Sequence, residues 1–290
     1  MNNKKFTILG GDLRNVKLAN LIAQEGNSVN IYGFKNAGFE LGMDECPDLK
    51  DAIDDSDVII GPIPCSNDNE TINAQFNPDK IYIHDIFKIM NKNQLFIAGR
   101  ISDKIAQLAQ VCNVYSIDIL QREEMAILNT IPTAEGAIQI AMEELPITLH
   151  DSDVLILGYG RIGKILAKML NGIGANVYAE ARKHSDLASI RSFGYNPVNI
   201  NELSNFLHKM DVIINTIPSI VLGQDMLNLV RKDCLIIDLA SKPGGVDFEK
   251  AKLLGLKAIW ALSLPGKVAP VTAAKFIKDT VYNIIDELGV

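Results

Sequence analysis

Near the middle of the chain, Val154-Leu155-Ile156-Leu157 runs into Gly158-Tyr159-Gly160-Arg161-Ile162-Gly163. An apolar run thus ends in glycines spaced G-x-G-x-x-G. Ile162, Ile165, Leu166, Met169 and Leu170 then share one helical face. A buried strand, this loop and an amphipathic helix, in that order, suit the pyrophosphate of a dinucleotide. Gly158 permits the tight turn, Gly160 lets phosphate approach the backbone, and Gly163 lets helix and strand pack closely. The first helical residues, Arg161 and Ile162, bring free N–H groups and the positive end of the helix dipole to the anion. A structural turn in some other α/β domain is the competing reading, and the complete strand–loop–helix context weighs against it.

The second strand after such a loop, about 20 residues on, ends in the group that reads the adenosine ribose. Here two signals conflict. Glu180 lies near the place of a carboxylate that would hold an NAD ribose hydroxyl and repel a 2′-phosphate. Arg182 and Lys183 follow at once, with His184 and Ser185 behind them. A guanidinium and an ammonium there would hold a 2′-phosphate by charge-assisted hydrogen bonds. The cationic turn favours NADP over NAD, with a solvated loop charge as the plain alternative for Arg182. Two further strand ends open into turns: Asn215-Thr216-Ile217-Pro218-Ser219 and Asp238-Leu239-Ala240-Ser241-Lys242-Pro243-Gly244-Gly245. Ligands bind beside the carboxyl ends of strands in doubly wound sheets. Thr216, Pro218 and Ala240 are therefore further cofactor candidates.

The elements that must position these groups alternate strand and helix. In the first half, strands are expected at 6–10, 29–32, 58–60, 81–83, 95–98 and 114–117, with a helix over 13–25 stopped by Gly26. A helix over 133–145, with Thr133 as its N-cap, links the halves. The second half reads as strand 154–157, helix 161–172, strand 176–180, helices 185–193 and 201–208, strands 212–215 and 234–238, helix 247–254 and strand 257–260. Residues 273–288 form an amphipathic helix, with Phe276, Ile277, Val281, Ile284, Ile285 and Leu288 on one face. The fold class is α/β: two Rossmann-like doubly wound domains with mainly parallel sheets and a cleft between them, the C-terminal helix returning to the first domain. Domain boundaries are expected at 1–130, joined by 272–290, and at 131–271.

With 290 residues the chain is long enough for two cores. No apolar run reaches the roughly 18 residues of a membrane span. The start, Met1-Asn2-Asn3-Lys4-Lys5, has no leader pattern. A net charge of −7 argues against a nucleic-acid partner. Cys46, Cys65, Cys112 and Cys234 are scattered, which suits buried thiols in a reducing cytosol. No metal-ligand cluster or Ser-His-Asp arrangement is apparent. Of His84, His150, His184 and His208, only His84-Asp85 forms a pair worth testing, and no general base is evident.

Three segments besides the glycine loop carry a resemblance: Asn129-Thr130-Ile131-Pro132-Thr133-Ala134-Glu135-Gly136, Ile213 to Ser219, and Leu235 to Phe248 with its Asp-Leu-Ala-Ser-Lys-Pro-Gly-Gly core. With Ile8-Leu9-Gly10-Gly11-Asp12-Leu13-Arg14 and the closing 262–274 stretch, they resemble the dipicolinate synthase A-subunit family nearly end to end. The resemblance implies NADP-dependent oxidation of dihydrodipicolinate to dipicolinate in the mother cell of a sporulating bacterium. A flavoprotein-like B-subunit of dipicolinate synthase is the implied partner, and an oligomer is expected. The alternatives are a related dehydrogenase of another small acid and a nucleotide-binding regulatory protein that catalyses nothing alone.

A dicarboxylate substrate needs two anion sites. Arg14, Arg122 and the helix start at Thr133 to Gly136 are candidates, with Asp12, Glu135 and Ser219 beside them. Lys242 is the catalytic candidate, as carboxylate binder or proton acceptor. Each has a plainer reading: Asp12 and Thr133 as caps, Glu135 as partner of a first-turn N–H, Arg14 as a surface charge, and Arg122 paired with Glu123 or solvent.

Overall fold

The computed structural model describes residues 4–37 and 45–289; the first three residues, where the leader pattern was sought, lie outside the described residues. Two units result. One comprises residues 1–128 with 269–290, the other residues 129–268.

The first unit is built from β1 (Lys5–Leu9), α1 (Leu13–Gln24), β2 (Ser28–Tyr32), α2 (Leu49–Ile53), β3 (Val58–Ile60), α3 (Ile83–Ile89), β4 (Leu95–Ala98), α4 (Asp103–Val111), β5 (Tyr115–Asp118) and α5 (Glu123–Leu128). Its five strands are parallel, in the order β2-β1-β3-β4-β5. Strands buried on both faces read as continuous apolar runs, as Val58-Ile59-Ile60 and Leu95-Phe96-Ile97-Ala98 do here. One face packs on α1 through Val16, Ala19 and Ile22, and on the C-terminal helix Pro270–Leu288 through Ile277, Val281, Ile284 and Ile285. Withdrawing each of those large aliphatic side chains from water is worth roughly 1.5–3 kcal/mol. The expected apolar stripe is therefore used within this unit, although Leu288 at its end is exposed. The other face packs on α3 and α4 through Ile86, Phe87, Ile105 and Ala109.

The second unit runs α6 (Thr130–Glu144), β6 (Asp153–Leu157), α7 (Arg161–Ile173), β7 (Asn176–Ala181), α8 (His184–Ser192), β8 (Asn196–Asn199), β9 (Val212–Asn215), α9 (Gln224–Leu227), β10 (Leu235–Asp238), α10 (Phe248–Leu253), β11 (Lys257–Trp260) and α11 (Leu264–Val268); the C-terminal helix of the first unit is α12. Its six parallel strands lie in the order β11-β10-β9-β6-β7-β8. Read from β8, this is the 3-2-1-4-5-6 order of the dinucleotide-binding fold, with the switch between β6 and β9.

Three local expectations differ from the structure, and one strand was not anticipated. The apolar run at 81–83 is not a strand, because Ile83 opens α3. The helix expected over 201–208 is two short 3-10 segments, Ile200–Asn205 and Leu207–Lys209. A strand missed in the sequence, β8, sits at the sheet edge, where Pro197 is tolerated because its missing N–H leaves no ladder bond unmade. The helix expected from residue 133 begins at Thr130, so Thr133 lies inside it and is no N-cap; its hydroxyl donates to the Asn129 carbonyl at 2.7 Å.

Candidate active site

The three glycines meet three different demands. Gly158 has φ +93, a left-handed conformation, and a Cβ there would stand 2.6 Å from Thr216 Oγ1. A Cβ on Gly163 would run into the Gly158 carbonyl oxygen, so the first turn of α7 rests directly on the loop. Gly160 is exposed and a Cβ there would meet nothing within 4 Å. It is also the N-cap of α7, and no side chain caps that helix. Arg161 and Ile162 are the first two residues of that helix. This cradle fits a pyrophosphate. Tyr159, between the glycines, turns inward to the core, where burial pushes its phenol pKa up.

Below the loops, one row of the sheet carries an unusual polar set. Glu180, Leu157, Asn215, Asp238 and Trp260 stand in register on five adjacent strands. Glu180, Asn215 and Asp238 are all buried, at 1%, 0% and 0% exposure. Glu180 accepts from the Gly158 N–H at 3.1 Å through Oε2, while its buried Oε1 has no hydrogen-bond partner. Burial pushes its pKa up, opposed by the Gly158 N–H and the Arg182 charge. Glu180 therefore lies under the glycine loop, with one oxygen already engaged. Asn215 donates to Asp238 Oδ1 at 2.7 Å and to the Ile217 carbonyl at 3.0 Å, and its own oxygen accepts from the Ile217 N–H at 3.1 Å. Asp238 also accepts from the N–H groups of Ala240, at 3.0 Å, and Gly245, at 2.7 Å. Trp260 Nε1 donates to the Ala240 carbonyl at 2.9 Å.

Beyond the row, Arg182 and Lys183 are exposed. Lys183 is the N-cap of α8, and no side chain caps that helix, although Asp186 adds an acid to its first turn. Thr216 has its hydroxyl turned to the loop, donating to the Leu157 carbonyl at 2.9 Å and lying 3.3 Å from that of Gly158. Pro218 and Ser219 are exposed on the loop after β9. Ala240 is buried, with both backbone polar groups in use. Lys242 is exposed in the loop after β10, and its ammonium makes no hydrogen bond or ion pair among the described residues. Glycine loop, Thr216 loop and Lys242 loop thus share the carboxyl edge of one sheet. Asn215, Asp238 and Trp260 were not singled out by sequence; the nearest signal was that two polar residues end apolar strands.

The first-unit candidates are differently placed. Asp12 caps α1 by accepting from the Arg14 N–H at 2.9 Å. Arg14 is buried rather than a surface charge, because its guanidinium clasps Asp12, with Nη2 2.7 Å from Oδ2, and also donates to the Ile63 carbonyl. Arg122 is no open cation either: it bonds Glu124 at 2.8 Å and spans to Glu287 of α12 at 2.6 and 2.7 Å. Glu124 and Glu287 are thus partners that the sequence reading of Glu123 or solvent did not name. Glu135, in the second unit, is exposed on α6, and Gly136 packs against Leu264 of α11. His84 and Asp85 stand 3.5 Å apart, both exposed, at the start of α3. Of the four cysteines expected to be buried, Cys65 and Cys234 are, which pushes each thiol up to about 12, whereas Cys46 and Cys112 are only half-buried. Among the described residues there is no cluster able to hold a metal ion and no helix long and apolar enough to cross a membrane.

Two parallel doubly wound units, one with a complete dinucleotide cradle at its switch point, define an NAD(P)-dependent oxidoreductase with a nicotinamide cofactor. Residues 125–243 match the family described as D-isomer specific 2-hydroxyacid dehydrogenase, NAD binding domain, and residues 5–120 match the N-terminal domain of the dipicolinate synthase A-subunit. The chain is 31% identical over 291 residues to the dipicolinate synthase A-subunit of Bacillus subtilis (strain 168), covering 98% of this chain and 96% of that protein. The crystal structure of the dipicolinate synthase A chain from Bacillus subtilis superposes with a TM-score of 0.88 at 30% identity, covering 100% of this chain and 98% of that one. A partial likeness, 30% identity over 134 residues, links 41% of the chain to 50% of the shikimate dehydrogenase (NADP(+)) of Pyrococcus abyssi (strain GE5 / Orsay). The chain belongs to the dipicolinate synthase A-subunit family.

Proposed function

We propose that this protein oxidises dihydrodipicolinate to dipicolinate with NADP as hydride acceptor, in the cytoplasm of a sporulating cell and with a B-subunit partner. The end-to-end relation to the dipicolinate synthase A-subunit carries the substrate and the partner. The cofactor choice rests on one observation: Glu180 is buried with an oxygen engaged by the Gly158 N–H, while Arg182 and Lys183 lie exposed at the uncapped start of α8. A carboxylate held that way does not oppose a 2′-phosphate at the strand end, and the two cations with the helix amides suit one. The partial relative named for NADP(+) points the same way.

A bound nicotinamide would supply the hydride acceptor, and the ring carbon's loss of hydride, with loss of a proton, would leave the ring aromatic. The chain's own task is then mostly positioning. Gly160 and the first turn of α7 would hold the pyrophosphate, with Arg161 and Ile162 at the helix start. Gly158 and Gly163 shape that cradle, and Thr216, Pro218 and Ala240 line the strand ends beside it. Lys242 lies on the loop after β10, where its ammonium can bind a substrate carboxylate or, deprotonated, accept the proton. Thr133, Glu135 and Ser219 are the remaining second-unit substrate candidates. In the first unit, Asp12 and Arg14 act as a fixed pair rather than as two independent charges, and Arg122 would have to leave its two glutamates to reach an anion.

Substrate profiling tests the reading. The purified protein with NADP, alone and with its B-type partner, should convert dihydrodipicolinate and leave 2-hydroxyacids and shikimate unreacted. Turnover of a hydroxyacid or shikimate without turnover of dihydrodipicolinate would replace the substrate assignment.

A further inference from the structure

We infer that the buried pair Asn215–Asp238 positions Lys242, by holding the loop after β10 in the one shape that presents this lysine at the sheet edge. The inference rests on the assignment of Lys242 to the reaction above. Among the described residues Lys242 makes no hydrogen bond or ion pair that would fix its ammonium, so its place is set by the backbone that carries it. That backbone is fastened at both ends by one carboxylate. Asp238 Oδ1 accepts from the Ala240 N–H and Oδ2 from the Gly245 N–H, closing the turn over residues 240–245. Within it, the Gly244 N–H donates to the Ser241 carbonyl at 2.8 Å, which leaves Lys242 and Pro243 exposed at the tip.

The glycines show how closely the loop is drawn down. A Cβ on Gly244 would stand 2.9 Å from Asp238 Oδ2 and 3.2 Å from the Trp260 ring, and Gly244 has φ +84. A Cβ on Gly245 would overlap the Asn215 amide nitrogen. Beyond Gly245 the chain is tied to the neighbouring loop, since its carbonyl accepts from the N–H groups of Val221 and Leu222, both at 3.0 Å.

A buried carboxylate is costly unless its lone pairs are met, and here three donors meet them: Asn215 Nδ2 and two backbone N–H groups. Asn215 is fixed in turn by both backbone groups of Ile217. An apolar pair would fill the same space between β9 and β10 but could not grip the loop. The polar pair is thus suited to setting loop geometry, which is how supporting hydrogen bonds position a reacting group. Both are positioning residues, acting through Lys242.

The single tryptophan of the chain reports on the loop directly. Trp260 donates to the Ala240 carbonyl and stacks on Phe248, ring centroids 5.4 Å apart at 15°. Asp238→Asn keeps the size of the side chain but turns an NH2 toward one of the backbone N–H donors, releasing one end of the loop. Gly245→Ala keeps both side chains of the pair but drives a methyl group against the Asn215 amide, which lifts the loop off it. For both variants the expected result is a red-shifted Trp260 emission, NADPH affinity within about 2-fold of wild type, and kcat at least 10-fold lower with little change in KM for NADP. Unchanged emission, or unchanged kcat with only a lower melting temperature, would overturn the inference. So would equal losses in NADPH affinity and kcat, which would mean that the pair supports the whole unit. Absence of turnover in the wild-type protein would refute the substrate assignment instead, and the emission of the two variants would still decide whether Asp238 holds the loop.

Discussion

Replacing Arg182 by alanine removes one of the two exposed cations at the start of α8 and leaves the glycine cradle untouched. Glu180 is engaged beneath the loop by the Gly158 N–H at 3.1 Å, so the 2′-phosphate has no carboxylate to displace. A hydrogen bond to a charged group contributes about 1.5–3 kcal/mol, which corresponds to roughly 10- to 150-fold in a dissociation constant. Arg182 is exposed, so salt screens it and the lower half of that range is expected near 0.15 M ionic strength, where the Debye length is about 8 Å. Lys183 and the α8 amides remain, so NADPH binding should weaken without disappearing. NADH lacks the 2′-phosphate and should change by less than about 2-fold. Titration of both nucleotides into wild-type and variant protein, at low and physiological salt, reads this directly. Equal weakening of both nucleotides, or no change in either, would refute the assignment of the 2′-phosphate to this turn.

Three further outcomes are expected. Gly163→Ala places a methyl group against the Gly158 carbonyl oxygen; overpacking of about 1–3 kcal/mol should lower affinity for NADPH and NADH alike by 10-fold or more, and calorimetric titration checks it. Glu180→Gln should flatten the pH dependence of stability. The folded carboxyl has a pKa above its ordinary value of 4.5, so between those values the folded state holds more protons than the unfolded one, and stability falls as pH rises through the window. The glutamine variant lacks that loss and should be the more stable form above it; a difference between the two proteins that does not vary with pH in urea unfolding would refute this. Arg122→Ala breaks a partly exposed link to Glu287 and Glu124, and because water and salt screen such pairs it should lower the melting temperature only slightly, without raising KM for the substrate.

The dinucleotide cradle was legible because its signals are local: an apolar strand, three glycines and an apolar helical face within twenty residues of sequence. The conflict between Glu180 and Arg182 was visible too, and the cationic turn favoured NADP, but nothing in Ala179-Glu180-Ala181 says that the carboxylate turns under the loop. Asn215 and Asp238 escaped notice for a related reason. Their meaning is a cross-strand register between segments 23 residues apart, and the sequence shows only two polar residues at the ends of apolar runs. The Ile81-Tyr82-Ile83 run has strand composition, yet Ile83 packs as the first residue of α3, where tertiary burial overrides propensity. Thr133 looked like a cap because Pro132 precedes it; the helix begins earlier and takes Pro132 into its first turn, where a missing N–H is tolerated. Arg14 and Arg122 show the limit of reading charges singly, since each adds to a carboxylate two residues away a partner distant in sequence, the Ile63 carbonyl and Glu287.

The central claim is tested most directly by generating dihydrodipicolinate in situ, adding this protein with NADP or NAD, alone and with its B-type partner, and following reduced nicotinamide and dipicolinate together. The expected result is one NADPH formed for each dipicolinate, with NADP preferred over NAD. Dipicolinate failing to form above the background rate in every mixture, while NADPH still binds, would contradict the account.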